Sequence, residues 1–299
     1  DGIVVPAGTT KVVDLGEQVQ RRDQFSVEVK AKSGRILAET VQLLNLEATD
    51  KVPAVHGLRL LPGVANARQV WTFAGGFKDP GAHEKIVVQN PGADPASVSV
   101  QVVPYGAGDM PPEPFLFEVP ARRYFVLDLT GEGRIPDVGF HSIRVESSEG
   151  DPVVAVRTSD VSAGPPAKPE GFTGGMRPAI DRGATTSLGS PFDARSWLIP
   201  SVSTGQGNSP IALIHNPGSG IVRVTVTAAT DGGAPVDVLK DAEVAAGDGL
   251  AVGLSSGDLG GKALRYYKVV ATGPISVDQF KTFASVKDYS IGPALPITP

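Results

Sequence analysis

The stretch WTFAGGFKDPGAHEKIVVQNPG, residues 71–92, returns later in the chain as WLIPSVSTGQGNSPIALIHNPG, residues 197–218. The Trp and the Asn-Pro-Gly stand at the same spacing in both copies, and Trp71 and Trp197 are the two tryptophans of the chain. Self-similarity of this kind is typical of repeated structural units. The His and the acidic residues of the first copy are not kept in the second, so the repeat predicts a shared scaffold and not a shared reactive site.

The similarity extends beyond these two copies. The matching segments downstream are 96–102 with 220–226, 117–129 with 242–254, and 150–160 with 272–282. A partial third copy opens the chain, because residues 3–15 match 117–129 and residues 25–42 take the place of 141–158. The sequence therefore predicts three modules, the first without its front half, in a protein that extends upstream of Asp1.

Each module is expected to be an antiparallel β-sandwich. The strands predicted in the middle module are 68–74, 84–89, 96–103, 115–119, 123–129, 140–147 and 152–158. Val98, Val100 and Val102 alternate with polar residues, which indicates one buried and one exposed face. Seven short strands separated by turn residues are typical of an immunoglobulin-like fold. The predicted fold class is all-β, with tandem immunoglobulin-like antiparallel β-sandwich modules.

The predicted domain boundaries follow from the repeat. They are half of a first module at 1–45, a linker at 46–67, a second module at 68–160, a Gly/Pro-rich linker at 161–195, a third module at 196–283 and a tail at 284–299. Some residue types recur at matching places in the two linkers. We therefore expect the linkers to pack across the faces of the modules.

Composition excludes several classes of protein. The formal net charge of −5 argues against a nucleic-acid partner, since such proteins carry a basic surface. The absence of Cys removes disulfides, thiolate catalysis and Cys-ligated zinc. No run of ~18 apolar residues occurs, so no segment of this sequence is expected to span a membrane, while a signal or anchor upstream of Asp1 stays open.

The repeated motifs resemble those of a known family. Trp followed by Asn-Pro-Gly, then alternating Val, then Val-Pro-Ala and Asp-Leu, is similar to an actinobacterial family of domain-of-unknown-function proteins. The resemblance implies an exported or membrane-anchored envelope protein built from such repeats, and it brings no catalytic residues with it. The third module departs from the pattern at 247–249, where Gly-Asp-Gly replaces the Arg-Arg-Tyr of 122–124.

Two repeated pairs of residues could carry binding or catalysis. Trp71 and Trp197 fit either a sugar-stacking platform or a core anchor, and their fixed position favours the core anchor. Asp14 and Asp128 fit a calcium ligand, a general acid, or a structural role, either as a strand-end carboxylate that accepts backbone N–H bonds or as an outward-facing charge. Gly253 takes their place in the third module and no DxDxDG calcium loop occurs, so the structural interpretation is favoured.

The remaining candidates for chemistry also favour structural roles. Ser142, beside His141, is predicted to point to the opposite face of its strand, which excludes a catalytic dyad. The glycine-rich segments 171–176 and 247–250 lack the strand–helix context of a phosphate-binding loop. No metal-ligand spacing connects the four histidines, which are His56, His83, His141 and His215. We therefore assign no catalytic residue, no metal site and no cofactor, and the binding residues are unknown.

One pair of tyrosines is a candidate contact surface. Tyr266 and Tyr267 are adjacent on a predicted strand, so one of them should face outward. With Phe280 and Phe283 nearby in sequence, an exposed Tyr could bind a partner or, as the favoured alternative, cover a linker or a neighbouring module.

The patterns predict a non-enzymatic protein whose modules present surfaces for protein contact or scaffolding, and the family resemblance implies an extracytoplasmic location in the cell envelope, secreted or membrane-anchored. Binding of cell-wall glycan through aromatic loop residues is the alternative. An enzyme on a sandwich scaffold is a third class, and it would require clustered acids or a metal. The partner, the oligomeric state and the orientation of the modules stay open.

Overall fold

The structure, a computed structural model, describes residues 2–19, 25–46, 55–79, 81–107, 111–136, 139–161, 183–200, 210–254, 263–283 and 288–297. The chain divides into two compact units, Asp1–Ile36 and Leu37–Pro299. The secondary structure is nearly all β, arranged in antiparallel sheets. This confirms the predicted all-β sandwich class.

The first unit contains one helical turn, α1 (Leu15–Gln18), and no strand among its described residues. The Asp14 carboxylate caps α1 by accepting a hydrogen bond from the backbone N–H of Gly16 at 2.8 Å. The sequence predicted half of a sandwich here, but apolar side chains such as Val4 and Val12 are exposed. Strands are stable only beside a partner strand and a packed face, and the described residues of this unit provide neither.

The second unit begins with the antiparallel pair β1 (Glu39–Leu46) and β2 (Val55–Pro62). The middle sandwich follows, with β3 (Val70–Lys78), β4 (Ala82–Gln89), β5 (Ala96–Pro104), β6 (Phe115–Val119), β7 (Tyr124–Asp128), β8 (Gly139–Ser147), β9 (Val154–Val161) and β10 (Gly183–Leu188). The strands β3 to β9 are the seven predicted ones. Its two sheets have the orders β3-β8-β5-β6 and β10-β9-β4-β7.

The third sandwich repeats this plan. Its strands are β11 (Ala194–Pro200), β12 (Ile211–His215), β13 (Val222–Thr230), β14 (Val236–Val244), β15 (Gly249–Gly253), β16 (Leu264–Phe283), β17 (Asp288–Pro293) and β18 (Leu295–Pro296). The long strand β16 takes the positions of both β8 and β9. Its first part pairs with β11 and β13, and its second part pairs with β12 and β17.

The order of the strands departs from the immunoglobulin order. In an immunoglobulin domain the first strand pairs with the second and the seventh with the sixth. Here the first strand, β3, pairs with the sixth, β8, and the seventh, β9, pairs with the second, β4. Alternation along a strand determines which face is buried, but it leaves the choice of sheet for the first and last strands undetermined.

Each module also has an eighth strand that the sequence did not predict. These strands are β2, β10 and β17, and they pair with β1, β9 and β16 respectively. They lie in the segments 46–67, 161–195 and 284–299 that were assigned to linkers and a tail. Residues 162–182, most of the second linker, lie outside the described residues. β10 and β17 are only six residues long, so their pattern alone does not distinguish them from loops. β2 has eight residues and alternates Leu58, Arg59 and Leu60, a strand signal that the linker assignment missed.

The cores of the two sandwiches use matching residues. Trp71 is 2% exposed and Trp197 is 0% exposed, and both pack with the buried face of the alternating valines. The indole N–H of Trp71 donates to the carbonyl of Val153 at 2.8 Å, and that of Trp197 donates to Ile275 at 2.9 Å. The prediction that these residues are core anchors is confirmed.

Candidate functional site: the buried junction between the sandwiches

The middle and third sandwiches pack directly against each other, at a surface that we call the junction. Its apolar part is built from β3 and β8 on one side and β16 and β17 on the other. Phe77 meets Phe280 edge-on, with ring centroids 5.3 Å apart, and meets Tyr289 in the same way at 5.4 Å. These aromatic rings are buried. Phe280 of the third sandwich therefore contacts the neighbouring module.

Glycines permit the close approach of the two sandwiches. A Cβ atom on Gly75 would lie 2.0 Å from Cδ1 of Leu213, and a Cβ on Gly249 would lie 2.0 Å from the Tyr105 ring. Neither distance is possible for real atoms, so any side chain at these positions would push the sandwiches apart. Segment 247–250 is therefore a contact segment: Asp248 accepts hydrogen bonds from the backbone N–H groups of Gly106 at 2.8 Å and Gly249 at 2.7 Å.

The junction also encloses a buried cluster of ionisable groups. Arg157 is 1% exposed, and its guanidinium lies 3.4 Å from the Asp278 carboxylate and 3.8 Å from that of Glu84. Glu84 in turn lies 2.6 Å from Nε2 of His141. Asp278 belongs to the third sandwich and the other three residues to the middle one. One arginine thus links the two modules electrostatically.

Further hydrogen bonds hold this cluster. The backbone N–H of Gly75 donates to Asp278 at 3.1 Å, and Arg157 donates to the Ser187 hydroxyl at 3.0 Å. The hydroxyl of Tyr289 donates to Ser159 at 2.8 Å, which is a further link across the junction. Burial raises the pKa of the Asp278 carboxyl above its usual range, although Arg157 opposes this change.

This geometry supports adhesion between modules and not catalysis. A general acid or base must reach its substrate, but all four ionisable side chains are nearly inaccessible to solvent. Within this cluster, three buried nitrogens lack hydrogen-bond partners: Nδ1 of His141 and Nε and Nη1 of Arg157. No cluster of three or more potential metal ligands occurs within the described ranges.

Sequence reasoning did not identify this cluster, although a signal for it was present. Glu84 alternates in step with the buried Ile86 and Val88, so it points to the same face of its strand. Arg157 points to the same face of its strand as the buried Ala155. A charged residue in the buried phase of a strand indicates a buried ion pair or a contact with another module. The partner of each charge could not be predicted, because Arg157 and Asp278 are 121 positions apart.

The structure explains the repeated Asn-Pro-Gly. The amide of Asn90 donates to the carbonyls of Asp94 at 2.7 Å and Val119 at 3.0 Å, and its oxygen accepts from Gly92 at 2.8 Å. Asn216 makes the corresponding bonds to Gly220, Val244 and Gly218. The Asn side chain therefore ties the turn after the second strand to the end of β6 or β14.

Asp14 and Asp128 have the structural role that the sequence favoured. Each accepts a hydrogen bond from the backbone N–H two residues later, Gly16 at 2.8 Å and Thr130 at 3.0 Å. Of the two tyrosines, Tyr267 is fully buried and Tyr266 is partly exposed. The side chain of His56 and residues 171–176 lie outside the described residues.

His215 lies at the edge of the junction and gives it a pH dependence. Its Nδ1 is 3.1 Å from the carbonyl of Asp248, and burial lowers the pKa of the imidazole to about 4. The unfolded chain takes up a proton near pH 6.5 and the folded chain does not, so stability should fall as the pH drops from there towards about 4. A shift of this size corresponds to roughly 3 kcal/mol.

We expect His215→Gln to remove most of this loss. The measurement is the free energy of unfolding in urea at several pH values between 7 and 4, compared with the unmodified protein. His83→Gln, at a partly exposed histidine on β4, is the control and should keep the original pH profile. Parallel profiles for His215→Gln and the unmodified protein would refute the assignment.

The close approach at Gly249 predicts a measurable coupling. Gly249→Ala should lower stability by about 1–3 kcal/mol because the added methyl overlaps the Tyr105 ring. Tyr105→Ala removes the overlapping atoms, so the double variant should lose less than the sum of the two single losses. Gly220→Ala, where the added Cβ has open space, should change stability by less than ~0.5 kcal/mol. Additive effects in urea unfolding would contradict this account of the contact.

A groove with a volume of about 380 Å³ lies between β2, β10 and β17. Polar side chains line much of it, including Thr185, Thr186, Gln279, Lys281 and Ser290. The Nε2 atom of Gln279 is buried there without a hydrogen-bond partner. Burial lowers the pKa of the Lys281 ammonium group. The groove therefore combines polar side chains with one buried amide nitrogen that has no hydrogen-bond partner.

Solved structures give only distant likenesses. The crystal structure of Thermotoga maritima 1070 is 20% identical in sequence and covers 42% of this chain and 95% of its own, with a TM-score of 0.31. The Anabaena sensory rhodopsin transducer is 25% identical and covers 31% and 83%, with a TM-score of 0.26. A mutant of the Streptococcus pyogenes major pilin is 11% identical and covers 70% and 96%, with a TM-score of 0.21. These TM-scores are low, so we draw no conclusion from them.

Comparison with known protein families gives a match for part of the chain. No curated protein matches it. In the part of the chain that the structure describes, no helix has the length and hydropathy of a membrane span. The expected resemblance to a family of unknown function is supported, while its actinobacterial origin stays a prediction. Residues 1–131 match a family described as "Family of unknown function (DUF5719)".

Proposed function

We propose that this protein is a non-enzymatic structural or interaction protein of the cell envelope, located outside the cytoplasm. One observation carries the proposal: the ionisable side chains of Arg157, Glu84 and Asp278 are buried between the two sandwiches that they join, where they are nearly inaccessible to solvent. Rigidly joined modules present their outer strands and loops at fixed relative positions. Such a surface suits protein contact or scaffolding.

Cross-linking on intact cells tests this proposal. A reagent that does not cross membranes should link the chain to neighbouring envelope proteins. Arg157→Met, which disturbs the junction, should reduce these links. Arg223→Met is the control, because Arg223 forms an exposed ion pair with Glu243. Protection of the chain from the reagent, or a hydrolytic activity lost on changing one carboxylate, would overturn the proposal.

Binding of cell-wall glycan is the second candidate, and the groove favours it. Its hydroxyl, amide and ammonium groups match the hydroxyl groups and acidic substituents of polysaccharides, although the tryptophans once considered as sugar platforms are buried. A glycan array and a pull-down with isolated wall should give retention that Lys281→Ala reduces. Lys268→Ala, at an exposed position of the same strand, should retain binding. No retention of the unmodified protein would remove this candidate.

A further inference from the structure

The groove between β2, β10 and β17 has the size and the lining of a small-molecule site. Its volume of about 380 Å³ lies within the range of pockets that hold small ligands. Its polar lining comes from the two complete sandwiches: Thr185 and Thr186 from β10, Gln279 and Lys281 from β16, and Ser290 from β17. The groove can therefore be analysed from strands whose pairing is described on both sides.

Three of these side chains share one face of the sheet in the third sandwich. Gln279 and Lys281 are two positions apart on β16, so they point to the same face. Ser290 of β17 is paired directly with Lys281, and opposed residues of antiparallel strands share a face. Gly292 is paired with Gln279 and has no side chain to cover the amide. The two strands therefore present an amide, an ammonium group and a hydroxyl side by side.

The protein leaves two of these groups without a partner of opposite character. Gln279 is 7% exposed, and its Nε2 has no hydrogen-bond partner, which costs free energy unless a ligand supplies an acceptor. Burial lowers the pKa of the Lys281 ammonium group, and no carboxylate of the described residues offsets this effect. The other cation of the lining, Arg59, already lies 3.4 Å from the Asp160 carboxylate. The groove thus has one positive charge that is not compensated.

The repeat gives a precedent for a carboxylate at this place. Gln279 lies four residues after Ile275, whose carbonyl accepts the tryptophan N–H of its sandwich. Arg157 lies four residues after Val153, whose carbonyl does the same in the middle sandwich. The two positions therefore correspond, and Arg157 lies 3.4 Å from the carboxylate of Asp278. In the middle sandwich this position binds a carboxylate.

We propose that the groove binds a sugar acid, with its carboxylate at Lys281 and Gln279 and its hydroxyl groups at Thr186 and Ser290. A monoanion matches the single uncompensated positive charge, whereas a phosphate dianion would bring a second negative charge without a partner. Serine and threonine hydroxyls both donate and accept hydrogen bonds, which suits the hydroxyl groups of a sugar. The sugar part of this proposal rests on the glycan-binding candidate, and the acid part rests on the groove alone.

The probe is glucuronate, titrated against the full chain and followed by saturation-transfer NMR. We expect saturable binding, and binding of its methyl ester should be about tenfold weaker or less, because the ester lacks the charge that pairs with the ammonium group. Lys281→Met and Gln279→Leu should each weaken glucuronate binding about tenfold. Lys268→Met, at an exposed position of the same strand, is the control and should bind as the unmodified protein does. Urea unfolding of each variant checks the fold.

Changes to the ligand keep the test independent of the stability of the variants. Absence of saturable glucuronate binding, equal binding of the methyl ester, tighter binding of glucose-6-phosphate, or binding that ignores both substitutions would each overturn the proposal. Retention on isolated cell wall decides the glycan candidate separately. Glucuronate binding without wall retention removes that candidate and keeps the acid specificity of the groove, whereas wall retention with equal binding of the ester does the reverse.

Discussion

Arg157→Met should be among the most destabilising single substitutions in this protein, with an expected loss of about 3–5 kcal/mol in the free energy of unfolding. Methionine keeps much of the side-chain volume but removes the cation that lies near both Glu84 and Asp278. Both carboxylates would stay buried without a compensating charge. The loss arises from that uncompensated burial, since a complete buried ion pair contributes little net stability by itself.

Two comparison variants make this prediction specific. Arg223→Met breaks the exposed ion pair with Glu243 and should cost less than ~1 kcal/mol. Combining Arg157→Met with Glu84→Gln and Asp278→Asn should recover part of the loss, because the buried negative charges are then removed. Denaturant unfolding at pH 7 measures all three proteins. An Arg157→Met effect as small as that of Arg223→Met would show that the buried cluster does not hold the junction.

The loss caused by Arg157→Met should also depend on pH. Burial raises the pKa of Asp278, so the folded chain binds this proton more tightly than the unfolded chain does. Stability associated with Asp278 is therefore fully present below the ordinary carboxyl pKa and is lost as the pH rises through the raised value. Removing Arg157 strengthens this effect. The difference between Arg157→Met and the unmodified protein should thus be smaller at acidic pH than at pH 7.

Removal of either tryptophan should have a comparable effect. Trp71→Ala and Trp197→Ala each delete a large side chain from a packed core and should cost about 3–5 kcal/mol. Trp71→Ala also removes the indole donor to the Val153 carbonyl, which keeps its bond from the backbone N–H of Arg68, and Trp197→Ala removes the indole donor to the Ile275 carbonyl. Phe192→Ala, at an aromatic residue that is 55% exposed, is the control and should have little effect on stability.

The two tryptophans also report whether the sandwiches unfold together. Since the chain has two tryptophans, Trp197→Ala leaves Trp71 as a fluorescent probe of the middle sandwich alone. We expect the Trp71 transition to move to lower denaturant concentration in this variant, because the junction couples the modules. The reciprocal variant should move the Trp197 transition. An unchanged transition of the remaining tryptophan would mean that the sandwiches unfold independently.

Much of the sandwich was predictable because its signals are local. The alternation of Val98, Val100 and Val102 with polar residues decides which side of β5 is buried, whatever the rest of the chain does. The equal spacing of Trp71 and Asn90 and of Trp197 and Asn216 indicated a repeated core anchor and a repeated turn. Both were confirmed, since the two indoles are buried and the two amides tie matching turns.

The errors concern pairing between distant segments. The eighth strands β2, β10 and β17 were assigned to linkers and a tail, because they lie outside the matched segments of the repeat. The sequence also did not show that the first and last strands of the sandwich each join the opposite sheet from that of an immunoglobulin domain, and this too is a question of pairing between distant segments. Neither pairing leaves a periodic pattern in the sequence, since both depend on which of two available edges a strand joins.

The sequence by itself determined the modules, their buried faces and the turn after the second strand, because each follows from spacing and alternation within a few tens of residues. Only the tertiary structure decided that Arg157, Glu84 and Asp278 come together, and that Gly75 lies against Leu213. Alternation states which way a side chain points from its strand. Alternation does not determine whether that side chain meets water or another module. Contact with another module is what places a charged residue in a buried junction and not on the surface.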